Sequence, residues 1–529
     1  MSKISGYAVT LLTAILGIAY GAYAVWRSMD GTSGEMIYPL DDTYIHIAMA
    51  KNLAVHGIWG VAPDAYAFCS SSPLWTVILA LLIKIYPSAN IMPLIMSFTC
   101  VGIISILAER FIAKFEKNAA RRIILVLFAG WLAPFAVLSG MGMEHALHAL
   151  LAVSVVLAYL RLDRATLLCT LSFLATATRY ESMFFLTPLS VLLFFERKWK
   201  LAVAMMVCST LPILIYAVYA IPNGGLFLPN SLLLKSSIHS FNDLFAAIGT
   251  AFVKVTEMTV PMQLMLLCLV GVALSKNVPL RMRFATISLA VATAGHLVLV
   301  PRFQFYRYEA YLLCAGTVLV IGGFAMVKWR VKPFWNSDYE KAETVFRHIM
   351  TVLLCAFVLA GLNRGMRAFR DEINAPGDIY RQQVQMTRLF ASIPEAERGS
   401  IALNDLGYMC LYSGAQVVDI WGLGTQRAAN LHIAANGVFL PENVKILFDE
   451  FEVKYAALFP EWFPIRFLPD TLKHVAILKT PKNIFCAHDE VWLYARDSKS
   501  AKTLRTAAQK YQKRLPEGTK LYIMPGGGE

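Results

Sequence analysis

The sequence predicts a polytopic α-helical membrane protein, with about 11 transmembrane helices and a C-terminal extracytoplasmic α/β domain. Three observations predict it. Of 529 residues, 57% are hydrophobic and only 16% charged, with a mean hydropathy of +0.55. So little charge cannot cover soluble domains of that length, and most of the chain must be solvated by lipid. Apolar runs of spanning length recur from residue 6 to residue 362, and the chain then changes character for its last 166 residues. The same composition excludes a disordered chain, a coiled coil and a disulfide-stapled miniprotein.

The first apolar run, Gly6 to Trp26, has about the ~20 residues a spanning helix needs. Ala22-Tyr23-Ala24 resembles a signal-peptidase site, but the run is long for a signal and Lys3 alone precedes it. An uncleaved anchor is expected. Ten further segments follow near 91–109, 122–140, 144–160, 166–178, 182–195, 200–220, 257–275, 284–301, 309–327 and 346–362.

Segment 73–86 (PLWTVILALLIKIY) is read as interfacial or re-entrant, because counting it as a crossing would put the basic loop 110–122 outside. With that reading, loops 110–122, 161–164, 196–200, 276–283 and 328–347 fall inside and carry 18 Lys and Arg. The outer turns carry five: Arg179, Lys235, Lys254, Arg302 and Arg307. This asymmetry is what the positive-inside rule predicts and places the N-terminus inside. The net charge of +13 follows from it and needs no nucleic acid. The predicted location is a membrane, crossed several times, with the N-terminus cytoplasmic and the C-terminal domain extracytoplasmic.

Two stretches then lie outside: the loop 27–90 and everything after 363. Residues 1–363 form the expected membrane domain and 364–529 the outer domain. In the latter, short apolar runs (SIALND, AQVVDIW, KYAALF, HVAILK, EVWLYA) alternate with helical stretches at 380–391 and 441–452, as in a small α/β domain. Six of nine cysteines sit in apolar segments, where a thiol is a packing residue. Cys410 and Cys486 are the two that a disulfide in the outer domain would join.

The chemistry-bearing residues cluster on the outer face. Asp41-Asp42-Thr43-Tyr44-Ile45-His46 opens what reads as an amphipathic helix, 43–55, closed by Gly57. One Asp suffices to cap a helix, so the second calls for another reason. Asp42 and His46, four apart, share a helix face, where a carboxylate and an imidazole can take a proton from an alcohol and steady a phosphate. Four more clusters fall at outer helix ends: Gly140 to His145 with Glu144, Thr178-Arg179-Tyr180-Glu181, Leu228-Pro229-Asn230-Ser231 running on to Lys235, and Pro301-Arg302-Phe303 leading to Arg307-Tyr308-Glu309. Each alone reads equally well as snorkelling or salt bridging. Together they supply carboxylates for a hydroxyl and cations for a phosphate, and ionisable groups at membrane depth usually face a cavity or one another.

DDTYIHIAMAKNLAVHGIWG, followed by SSSPLW, resembles the first outer loop of the GT-C membrane glycosyltransferases. It is most similar to the branch containing the mycobacterial cell-wall arabinofuranosyltransferases. SGMGME, TRYE, LPNSLLLK, Arg307-Tyr308 and NDLGYMCLYSGAQVVDIWGL extend the resemblance over most of the chain. One departure is Ala48-Met49-Ala50, where that branch commonly has Arg-Tyr-Ala, and it leaves the donor sugar open.

The resemblance implies transfer of a sugar from a polyprenyl-phosphate donor to a glycan, lipid or protein acceptor on the outer face, with inversion. Asp41 or Asp42 would then be the general base. Arg179, Lys235 and Arg307, with His46 and Tyr44, would hold the donor phosphate. Glu144 resembles the second acidic position, with Glu181, His145 and Asn230 on the acceptor side. Some relatives use a divalent cation (Mg, Mn or Ca), which Asp42 and Glu144 would hold here. A secondary transporter is the rival class, opposed by the long outer loop, the outer domain and the missing internal repeat. A lipid-linked glycan ligase or polymerase is the nearer one.

Overall fold

A computed structural model describes residues 3–525, apart from positions 88, 470 and 482 and the segments 236–240, 252–258 (save 253 and 256), 301–304, 327–337, 436–439 and 463–467. The chain divides into two compact units. The first comprises Met1–Ala24, Leu94–Leu214 and Ser237–Asp371, and the second Val25–Pro93, Ile215–Ser236 and Glu372–Glu529.

Among the described residues, five helices are long and apolar enough to cross a membrane, and six shorter apolar helices have 10–17 residues. Among the described residues, the regular elements of the first unit are helices. Its Ala310–Met326 helix is buried along nearly its whole length, as an all-round apolar sequence requires. It packs beside His145–Arg161 and Thr259–Leu274. Gly323 permits this: a Cβ there would lie 2.4 Å from a methyl of Val272. Small residues of this kind let helix backbones approach closely.

The apolar run expected as one helix at 122–140 is broken into Ala119–Leu132 and Phe135–Gly140. Pro134 explains the break, since it lacks an N–H and disfavours the α conformation at Ala133. The last apolar helix outruns its expected end at 362 and continues as Asp338–Ile379, followed by a π-helical turn, Tyr380–Val384, and the helix Gln385–Ala391. Pro376 lies just upstream and removes the hydrogen bond that would reach the Glu372 carbonyl.

In the second unit, Asp42–His56 and Pro73–Ile85 pack on each other. At 13 residues, Pro73–Ile85 is about 20 Å long, short of a ~30 Å hydrocarbon core. The sheet has six strands: β1 (Ser400–Leu403), β2 (Val417–Asp419), β3 (Val453–Leu458), β4 (Lys473–Lys479), β5 (Glu490–Ala495) and β6 (Lys520–Ile523). Their order is β2-β1-β3-β5-β4-β6. The pairs β1–β2 and β1–β3 are parallel; the pairs joining β3, β5, β4 and β6 are antiparallel.

Side chains alternate across this sheet as the strand period demands. Ile401 and Leu403 join a core with Leu389 and Phe390 of Gln385–Ala391 and Leu504 and Ala508 of Ser498–Tyr511. Ala402 faces the other side, with Ala428 of Gln426–Ala434 and Val444 and Leu447 of Pro441–Glu450. The five apolar runs expected as strands are β1 to β5; β6 was not anticipated.

Candidate active site

The helix expected at 43–55 runs Asp42–His56 and ends at Gly57, which takes the left-handed conformation at φ 71°. Two features differ from expectation. Asp41 occupies the N-cap position with helical φ and ψ, and its side chain makes no capping bond. The helix is also not amphipathic: every residue from Thr43 to Ala50 is buried. Its burial comes from packing within the second unit, where Ile45 and Met49 join Trp59, Phe68, Cys69, Tyr216 and Leu406 in one core.

What Asp41 meets instead of the helix N-terminus is the loop after β1. Asp405 shares a hydrogen bond with Asp41, and the charges of Asp41, Asp42 and Asp419 all act on it. Loss of solvent is the largest influence, followed by Asp41, and together they push the Asp405 carboxyl well above the usual carboxylate range. A hydrogen bond shared by two carboxyls needs one proton, and the raised Asp405 carboxyl is the one favoured to carry it. Gln383 Nε2 donates to Asp405 Oδ2 at 2.8 Å and fixes its orientation.

Gly407 brings this loop against Asp41. Its φ is +30°, and a Cβ there would lie 2.6 Å from the Asp41 Cβ. Gly407→Ala must displace either the loop or Asp41 and is expected to cost about 1–3 kcal/mol. Lowered thermal stability and lowered activity would show this displacement; an unchanged protein on both counts would contradict the close approach.

The Asp42–His56 helix is tied to SSSPLW as well. His46 is buried, and its Nδ1 lies 3.4 Å from Ser70 Oγ, which accepts from Ser72 N (3.1 Å) and Thr76 Oγ1 (3.0 Å). Tyr44 is buried in a tyrosine cluster, its ring 4.8 Å from Tyr408 and 5.7 Å from Tyr38, and its hydroxyl accepts from the Tyr38 N–H at 2.9 Å. Burial raises the Tyr44 hydroxyl well above its usual range.

Asn230 is buried too, and its amide is engaged with a turn. Its Nδ2 donates to the Gly422 carbonyl (3.3 Å) and to Gln426 Oε1 (3.1 Å), and its own N–H bonds the Phe68 carbonyl (2.9 Å). Asp419 organises that turn, accepting from Trp421 N at 2.9 Å and Gly424 N at 2.7 Å. Burial raises its carboxyl, and these backbone N–H groups oppose the rise. Asn404 Oδ1 accepts from Phe459 N at 3.2 Å, linking the ends of β1 and β3. Asn404 and Asp419 thus do turn chemistry, whereas Asp405 points to Asp41. Lys235 ends the helix Asn230–Lys235, and its side chain lies outside the described residues. Arg302 does so entirely.

The first unit gathers a second set of the expected residues. Arg179 is clamped between Glu144 (Nη1 to Oε1, 2.5 Å) and Glu181 (Nη2 to Oε1, 2.5 Å, and Nε to Oε2, 3.2 Å). Such bidentate pairs are the strong form of a charge-assisted bond. The Tyr308 ring lies between two guanidinium groups, with Arg179 Cζ 5.2 Å and Arg307 Cζ 4.9 Å from its centroid. Arg307 also reaches Met143 Sδ at 3.2 Å, and His145 Nε2 is 3.7 Å from Glu144 Oε1. His148, which was not singled out, stacks on Tyr311 at 4.2 Å and bonds Ser182 Oγ at 2.9 Å. Glu144, His145, His148, Arg179 and Arg307 are all at most 4% exposed.

Among the described residues no three His, Cys, Asp or Glu side chains are grouped to hold a metal ion. All nine cysteines are free, so Cys410 and Cys486 do not pair.

A family described as a domain of unknown function (DUF8728) matches residues 372–505, the sheet-bearing part of the tail. No curated protein matches the sequence. Among solved structures, the chain is similar to the Archaeoglobus fulgidus oligosaccharyltransferase, crystallised as a complex with Zn and sulfate. The TM-score is 0.54 at 13% identity, over 98% of this chain and 75% of that one. It is also similar to ArnT from Cupriavidus metallidurans, bound to undecaprenyl phosphate (TM-score 0.47, 11% identity, 92% and 98% covered) and in the apo state (0.48, 12%, 94% and 99%). At 13% identity the oligosaccharyltransferase match is evidence of fold alone: the chain has the GT-C-like architecture of a polytopic helical membrane protein with a C-terminal α/β domain.

Proposed function

We propose that the protein is a membrane glycosyltransferase that moves a sugar from a polyprenyl-phosphate donor to an acceptor hydroxyl on the outer face of the membrane. The observation that carries this reading is the Asp41–Asp405 pair. A carboxylate oriented by a neutral, hydrogen-bonded acid is a base held in place by a third group, the arrangement a general base requires.

In the proposed reaction Asp41 takes the acceptor proton as the hydroxyl oxygen attacks the anomeric carbon. The new C–O bond forms as the bond from that carbon to the phosphate oxygen breaks, with inversion. The lipid phosphate leaves with the electron pair. Asp42 raises the local negative potential and, with His46 on the same helix face, contacts the sugar or its phosphate. Of the cations assigned to the phosphate, Arg179 is already neutralised by two carboxylates. Lys235 and Arg307 are the other two that the resemblance assigns to it, and such charges would stabilise the developing phosphate.

Native mass spectrometry of the detergent-purified protein, with lipid extraction, tests the donor class. A co-purifying polyprenyl phosphate, bare or carrying a pentose or hexose, is the expected result. Retention of ordinary phospholipid alone, with no shift on adding a polyprenyl-phosphate sugar, would sink the reading.

The raised Asp405 carboxyl gives a separate test. Its folded pKa is raised, so the stability it contributes is fully present below its unfolded value near about 3.9 and is lost as pH rises toward the folded value. Asp405→Asn removes that loss. The variant's advantage in thermal midpoint over wild type is expected to grow from about pH 4 upward and then level off. A constant difference across pH would contradict a protonated Asp405.

A further inference from the structure

The first unit holds a cavity of about 410 Å³ that the proposed reaction does not use. Its polar lining is Arg110, Lys114, Arg161 and Arg164 with one carboxylate, Asp163, and its walls are leucine-rich. Arg110 is in the last turn of Met92–Ile112, and Arg161 in the last turn of His145–Arg161. Leu162, in the left-handed conformation at φ 48°, ends that helix tightly, and Arg164 stands at the N-cap of Ala165–Thr178. The turn thus brings Arg161 and Arg164 to the cavity that Arg110 and Lys114 also line.

A bland reading is available for part of this. Basic residues in the last turn of a helix complement its dipole, which accounts for Arg110 and Arg161. It does not account for Lys114, which follows its helix, or for Arg164, which begins one, where a cation is unfavourable. Nor do the ion pairs among the described residues match these charges. The ion pairs nearby serve other cations, Arg121 with Glu116 and Arg122 with Glu109. Among the described residues none of the four lining cations has a carboxylate within salt-bridge distance. Lys114 and Arg161 act on one another: burial and then the Arg161 charge lower the Lys114 ammonium from its usual range. Four cations around one cavity repel one another, and an anion between them would relieve that.

We propose that this cavity binds the phosphate headgroup of an anionic phospholipid, with an acyl chain along the leucine wall. Loops 110–122 and 161–164 are the ones the charge distribution places on the cytoplasmic side, the face where anionic headgroups meet basic pockets between helices. The apolar wall selects a lipid over a free phosphate, which the cations alone would not. The inference is independent of the catalytic reading, because none of these residues belongs to the proposed site.

The test uses the full-length protein in detergent, titrated with phosphatidylglycerol, phosphatidylethanolamine or inorganic phosphate and read by native mass spectrometry. Phosphatidylglycerol is expected to bind and phosphatidylethanolamine to bind much more weakly. Each basic residue facing an anionic headgroup is worth about fivefold in binding, so Lys114→Gln with Arg161→Gln should weaken phosphatidylglycerol about 25-fold. Both side chains are exposed, and an unchanged thermal midpoint will show that the variant folds. Leu167→Asn should weaken the lipid while sparing any binding of inorganic phosphate. Equal binding of the two lipids, an unchanged affinity in the double variant, or displacement of the lipid by millimolar inorganic phosphate would each overturn the proposal.

Discussion

Asp41→Asn is expected to lower sugar transfer by about 10²–10⁴-fold, the usual worth of a positioned general base, while donor lipid still co-purifies with the variant. The amide keeps the shape and can still pair with Asp405, but it cannot take a proton from the acceptor. Asp42→Asn should have the smaller effect, because the Asp41–Asp405 pair stays intact. Single-turnover transfer to an excess of acceptor, compared with donor binding by mass spectrometry, separates chemistry from binding. If Asp42→Asn is the severe variant and Asp41→Asn retains most activity, the roles are reversed. Full activity in both would remove the acid pair from the mechanism.

The second large effect concerns stability. Arg364 and Glu309 pair at 2.5 Å with both side chains fully buried, and Arg364 also donates to the Tyr306 carbonyl at 3.3 Å. Removing one partner of a buried pair leaves an uncompensated charge and costs about 3–5 kcal/mol. Arg364→Met should therefore lower the thermal midpoint in detergent substantially. Adding Glu309→Gln to that variant should restore much of it, since the stranded charge is then gone. A single variant as stable as wild type, or a double variant no better than Arg364→Met, would show that the pair is not what holds Glu309 in place.

Much of this architecture was legible in the sequence because lipid and sheet each impose a short period on the chain. The apolar runs marked the helices, and the alternation in SIALND, KYAALF and HVAILK marked strands whose two faces meet different cores. β6 escaped because KLYI is four residues at a sheet edge, with Lys520 exposed and only Leu521 fully buried. The π-helical turn had no warning beyond Pro376.

In the site, local spacing served well where the contact is local. Arg179 and Glu181, two residues apart, pair across a turn. The amphipathic reading of Asp42–His56 failed because burial there is imposed by distant segments. Asp405 lies at the end of the apolar run SIALND, and the sequence gives it no partner. Its pairing with Asp41 is a tertiary contact, and no periodicity in one chain reports those. The nearest clue was Gly407, whose left-handed backbone and close approach become meaningful only once Asp41 is beside it.

The second compact unit draws on three stretches of chain, and this sets an order on its assembly during synthesis. Phe68 bonds Gln426 across 358 residues of sequence, and Glu35 pairs with Arg388 across 353. At about 5–20 residues per second, a ribosome takes roughly 20–70 s to make the partner after the first residue has emerged. Throughout that interval the Asp-Asp segment lacks the strand-end loop that orients it. A nascent or truncated chain would therefore have its early helices made and its acid pair unformed, so the proposed base would be oriented only after the sheet-bearing segment is synthesised.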